Sequence, residues 1–185
     1  QVWHHHEWRY PGEVMRMAPD PTAPYRRGVE ALGCPCEVLG NGVALGALGI
    51  DGQTFDALLD EPEMRARIVA SIADHGRPVL ALGVIGPSEC GLVTGYDEGG
   101  DVLIGWSYFQ GAPEFAANDP DIAFEPSGYY RRRHWYPHTP AIIVLGERGA
   151  RPPAKEALSR ALAWSIALAR TPAIGEYHGG LAALD

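Results

Sequence analysis

The 185-residue chain has no apolar run approaching the ~20 residues needed to cross a bilayer, so its sequence offers no membrane-spanning helix. Cysteine is scarce as well. Cys34 and Cys36 lie two apart and Cys90 stands alone, an odd number without framework spacing. That argues against a secreted disulfide scaffold and for a reducing, cytoplasmic setting. Positive charge is outweighed, with 15 Lys and Arg against 23 Asp and Glu and a formal net charge of -8. A broad nucleic-acid surface is thereby excluded, because phosphate binding needs clustered cations that release counterions. The one basic run, Arg131-Arg132-Arg133-His134, reads as a solvated loop or an anion latch. No internal repeat and no signal peptide are visible.

Several motifs also lack a necessary part. The glycine-rich stretch 41–52 has neither a Gly-Lys-Ser/Thr ending nor a suitable following helix, so it reads as a flexible or bulged connection rather than a nucleotide loop. The Cys-Pro-Cys pair has one intervening residue where redox and metal motifs have two, which leaves structural thiols. His4, His5 and His6 are consecutive and cannot all face one ion from a regular element, so a surface loop or tag remnant is expected. Neither a cofactor nor a metal site is expected.

What is present begins with size and pattern. A chain of 20.0 kDa can bury a sizeable core as one domain, residues 1–185. Its organising stretch is 77–110, where β-rich runs at 78–84, 90–96 and 102–108 are separated by Gly86-Pro87-Ser88-Glu89 and Asp97-Glu98-Gly99-Gly100. Turn-forming clusters between such runs predict a three-stranded antiparallel meander at the centre of the domain. The first run is almost wholly apolar and should be buried on both faces; the third alternates.

Around it, residues 24–33 predict a short amphipathic helix with Tyr25, Val29 and Leu32 inward, followed by a strand at 34–39. Residues 61–75 predict the clearest internal helix, with Met64, Ile68, Val69, Ile72 and Ala73 on one face. After the meander come a polar loop at 111–128, a buried strand at 141–146, and a helix at 154–170. That helix is expected to carry Ala157, Leu158, Ala161, Leu162, Ser165 and Leu168 on one face. Residues 1–24 read as loop, with a short helix or strand at 13–17. Helices over an antiparallel sheet make an α+β domain.

The segments "GRPVLALGV", "CGLVTGYDEGGDVLIGWSYF" and "AIIVLGE" resemble the sheet of papain-like cysteine peptidases of the bacteriocin-leader-processing type and of butirosin biosynthesis protein H-like acyltransferases. More closely, "PYRRGVEALG", "FEPSGYYRRRHW" and "RPPAKEALSRALAWSIALARTP" resemble an uncharacterised group of bacterial proteins with that fold. The resemblance implies a central antiparallel sheet packed against helices, a catalytic His opening the second strand, an Asp or Asn on the third, and a nucleophile heading an N-terminal helix. This chain departs at each point. Glu89 stands at the His position with Cys90 next, Trp106 and Ser107 stand where the Asp or Asn would, and no Cys-headed helix precedes Pro24. The relatives extend beyond both ends, and Gln1 and the closing residues 179–185 are accordingly read as the cut ends of a longer chain.

Two functions from different classes follow. The first is a non-peptidase, papain-like domain that binds a small molecule or peptide in the former active-site cleft, using Glu89, Cys90, Trp106, Tyr108 and His134. Tyr129, Tyr130 and Trp135 are further rings for an aromatic cleft, or else fill the core. The second is a cysteine-dependent hydrolase or acyltransferase whose nucleophile lies upstream of residue 1 or is Cys90, with Glu89 as a candidate base. A homodimer or partner-binding domain without a ligand is a third reading.

Overall fold

The computed structural model describes Met15 and residues 18–183 apart from 117, 175 and 176; the histidine run and most of the 13–17 element fall outside the described residues. An eight-stranded sheet organises the chain. Its strands are β1 (Cys36–Gly40), β2 (Ala57–Leu58), β3 (Val79–Leu82), β4 (Cys90–Asp97), β5 (Val102–Trp106), β6 (Ile122–Phe124), β7 (Tyr130–Arg132) and β8 (Ala141–Leu145). They lie in the order β2-β1-β8-β3-β4-β5-β7-β6, antiparallel except where β1 meets β2. The helices are α1 (Ala23–Glu30), α2 (Gly42–Ala47), α3 (Glu61–Ala73), α4 (Pro113–Ala116) and α5 (Ala154–Ala169). The domain is thus α+β, and the meander β3-β4-β5 forms with the expected pairing.

One interior position of the sheet belongs to a strand from late in the sequence. β8 inserts between β1 and β3, and its residues alternate between two cores. Ile142 joins Val79, Ala81, Val93 and Leu103 beneath α3 and Trp135, whereas Ala141 and Ile143 join Val38 and Leu82 beneath Val29 of α1 and Leu45 of α2. A strand covered on both faces has no solvent side to mark with polar residues, which is why 141–145 reads as a continuous apolar run.

α3 follows its pattern closely. Asp60 and Glu63 form a reciprocal capping box, with Glu63 N–H donating to Asp60 Oδ1 at 2.9 Å and Asp60 N–H to Glu63 Oε2 at 3.1 Å. Met64 and Ile68 are fully buried, while Ala73, expected on the same face, is exposed as the last residue of the helix.

Two expectations need correction. Residues 42–47 form α2 rather than a loose connection, because Asn41 Oδ1 accepts from Val43 N and Ala44 N and caps the helix despite its glycines. Leu32 lies beyond the end of α1 and is exposed, since the chain already turns at Ala31. α5 forms at the expected place, and none of its residues is buried; Leu158 and Leu162 are 60% and 55% exposed. The polar stretch 111–128 also holds α4 and β6, the latter paired with β7 at the sheet edge.

Candidate functional site

The turn from β3 to β4 positions the residues of interest. Gly83, with φ of +74°, ends β3 against the His138 carbonyl and Pro140, a place where any Cβ would collide. Its N–H donates to Glu89 O at 3.2 Å, closing the turn. Gly86 packs on the Phe109 ring, and Ser107 Oγ donates to Ile85 O at 3.4 Å. Ser107 also caps the short 3₁₀ turn Tyr108–Gly111, accepting from Phe109 N and donating its N–H to Gln110 Oε1. One hydroxyl therefore ties the end of β5 to the turn that presents Glu89 and Cys90.

Register then decides what faces what. Cys90 lies opposite Leu82, and Leu92 lies opposite both Leu80 and Trp106. Cross-strand partners share a face, so Cys90, Leu92 and Trp106 stand on the α1 side of the sheet, where Leu80 and Leu82 already pack. Cover thins along this face. Leu82 is buried, Leu92 is intermediate, and Trp106 is 50% exposed. Tyr108, turned outward by the 3₁₀ turn, is 75% exposed and meets Phe109 edge-on at 5.3 Å.

Tyr25, in the first turn of α1, completes the group. It packs against the Leu82 core, and its phenol is pushed well above the usual range by burial first, then by the Cys90 thiol and the Glu89 carboxylate. Cys90 retains solvent-accessible surface, yet the protein packed about its sulfur pushes the thiol up to about 12, with the Glu89 charge adding to the effect. Tyr25 and Cys90 accordingly hold their protons at neutral pH beside one carboxylate. Sequence reasoning placed Tyr25 in the core only. Its position three residues into a proline-headed helix was the available signal, but which strand that helix end meets is a matter of topology.

His134 is not part of this group. β7 runs antiparallel to β5, with Tyr130 opposite Gly105 and Arg132 opposite Leu103, so His134 follows the strand end remote from Trp106. There it contacts Asp121 Oδ1 at 2.9 Å and is largely exposed. The neighbouring arginines are also matched: Arg131 with Asp97 and Glu125, Arg132 with Asp119, and Arg133 with Glu98. The basic run is an internally neutralised edge. Arg132 is almost wholly buried, and the Asp119 carboxyl, despite its own desolvation, is held below the usual range by the Asp121 N–H and the Arg132 guanidinium.

Tyr130 and Trp135 fill the core, the latter donating from Nε1 to Gly100 O at 2.9 Å, while Tyr129 is exposed. Cys34 and Cys36 are free thiols on the edge of the α1-side core. Among the described residues, no group of three or more His, Cys, Asp or Glu side chains is arranged to hold a metal ion, and no helix is long and apolar enough to cross a membrane. Comparison with models of protein families, with curated proteins and with solved structures finds no match for this chain.

Proposed function

We propose that this chain is a papain-like domain that binds a small molecule or peptide where α1 meets the start of β4, without peptidase chemistry. The observation that carries the reading is the cluster Tyr25–Glu89–Cys90: a helix end facing the opening of a strand, as the resemblance implies, but furnished with groups that keep their protons. Nucleophilic catalysis by a thiol is favoured by a depressed pKa, whereas burial and then the Glu89 charge push the Cys90 thiol up. The strands β3, β4 and β5 contain no histidine. A phenol, a thiol and a carboxylate instead supply two donors and a charged acceptor. Beside them, the exposed Trp106 and Tyr108 provide ring faces of the sort that hold an amine or a peptide group.

Two measurements test this reading. Peptide-resolved iodoacetamide labelling across pH is expected to find Cys90 reacting roughly a hundredfold more slowly than a free thiol of pKa ~8.5 at pH 10, because only a small thiolate fraction is present there. A Cys90 that titrates below ~8.5 would instead support the hydrolase or acyltransferase reading. Thermal shift against a panel of tripeptides and primary amines is expected to yield a hit whose stabilisation is erased by Glu89→Gln and by Trp106→Ala. A hit unaffected by both substitutions would place binding elsewhere.

A further inference from the structure

The outer side of α1 borders a second feature, separate from the Glu89–Cys90 crevice. A groove of ≈ 310 Å³ separates α1 from α5, with Pro24, Gly28 and Ala31 on one wall and Ala157, Ala161 and Trp164 on the other. Small side chains are what keep it open, since Ala157 and Ala161 are too short to close the distance between the helices. At about 30 Å³ per water-sized group, it has room for roughly ten heavy atoms, and it falls within the usual size range of small-molecule sites.

Three charged residues border the groove: Arg27, Glu30 and Arg160. Arg160 pairs with Glu156 one turn earlier on α5, and Arg26, the neighbour of Arg27, pairs with Asp56. Arg27 has no ion pair among the described residues. Its Cζ instead sits 5.2 Å from the centre of the Trp164 ring. A guanidinium held over an indole without an ion pair keeps N–H donors available to a planar anion, which a carboxylate fits with two parallel hydrogen bonds.

We propose that the groove between α1 and α5 binds an anionic amphiphile, a medium-chain carboxylate whose tail lies along Pro24, Ala31, Ala157 and Ala161 and whose head takes the free edge of Arg27. Glu30 on the same rim sets the limit at a single negative charge. The proposal uses none of Tyr25, Glu89, Cys90 or Trp106, so it stands or falls apart from the reading of that crevice.

Calorimetric titration of the whole chain with decanoate, decanol and decyltrimethylammonium tests it. Decanoate is expected to bind at least tenfold more tightly than decanol, and the cation more weakly than both. Arg27→Gln is expected to reduce decanoate affinity about tenfold, to the level of decanol, while leaving decanol unchanged. Gly28→Leu is expected to abolish binding of all three ligands: Gly28 lines the groove, and an added Cβ there meets nothing within 4 Å, so a leucine has room to occupy ligand space. Leucine also favours a helix over glycine, so the melting temperature of that variant should hold or rise, separating loss of the site from loss of the fold. The proposal is overturned by decanoate that fails to bind below 1 mM, by equal affinity for the anion and the cation, by an Arg27→Gln variant that binds as before, or by a Gly28→Leu variant that still binds.

Discussion

The two longest helices of the chain, α3 and α5, carry apolar stripes of similar strength in the sequence, and the fold treats them in opposite ways. α3 is capped by Asp60 and Glu63 and buries Met64 and Ile68 completely against β3, β4 and β8. α5 begins after Pro153 with no side-chain cap and has no buried residue; Leu158, Leu162 and Ile166 face solvent, while Ala157, Ala161 and Trp164 line its approach to α1. An amphipathic pattern thus states which face of a helix would gain from cover. Whether another element stands there to supply it depends on the sheet. α3 leads directly into β3 and is held over the sheet on that account, whereas α5 follows β8 and a connection containing Pro152 and Pro153, and comes to rest outside α1.

Four substitutions probe that contrast. Met64→Ala on α3 removes a fully buried side chain and is expected to cost about 2–5 kcal/mol of stability in urea unfolding; a loss below ~1 kcal/mol would mean that α3 is no better anchored than α5. Asp60→Ala removes one half of the capping box and should cost about 1 kcal/mol in the same measurement. On α5, Pro153→Asp installs the missing cap. Amide exchange within the helix is expected to slow by several-fold with the global unfolding midpoint unmoved, because the gain is local to an element that contributes no buried residue to the core. The smallest effect belongs to Leu162→Gln, expected to stay within about 0.5 kcal/mol. A large loss there would show that the exposed stripe is covered in solution by a second copy or another partner, and would make stability depend on protein concentration.

The Arg132–Asp119 pair adds a pH arm to the same contrast, since the sheet holds a buried charge whereas the charges of α5 are exposed. The Asp119 carboxyl is held below its ordinary range in the folded protein. Its contribution is therefore present above the unfolded carboxylate pKa and is lost as pH falls toward the folded value. Asp119→Asn should flatten the acid limb of stability and, by leaving the Arg132 charge buried without a counterion, lower stability at neutral pH by about 3 kcal/mol.

Much of the fold was legible in the sequence because its signals are local. Alternation and turn chemistry delimited β3, β4 and β5; the period of 64, 68 and 72 placed α3; the unbroken apolar run placed β8 in a buried position. Where local signals misled, a short-range interaction had been overlooked or a long-range one was required. Glycine content suggested a loose loop at 42–47, yet Asn41 caps a helix there. The candidate site was legible in part: the turn at Glu89 and Cys90 and the exposed rings of Trp106 and Tyr108 were named from sequence, but Tyr25 was missed and His134 was grouped with residues from which the strand direction separates it.

By itself the sequence determined which segments become strands and helices, the shortage of cationic surface, and the identity of the groups at the head of β4, since each of these depends on composition or on residues a few positions apart. Only the tertiary structure decided that the first turn of α1 meets that strand head, that His134 lies at the far end of β7, and that α5 stops short of α1 and leaves a groove with an unpaired arginine. Those outcomes rest on strand order and register, which are set by burial across the whole sheet, and no window of sequence contains both partners.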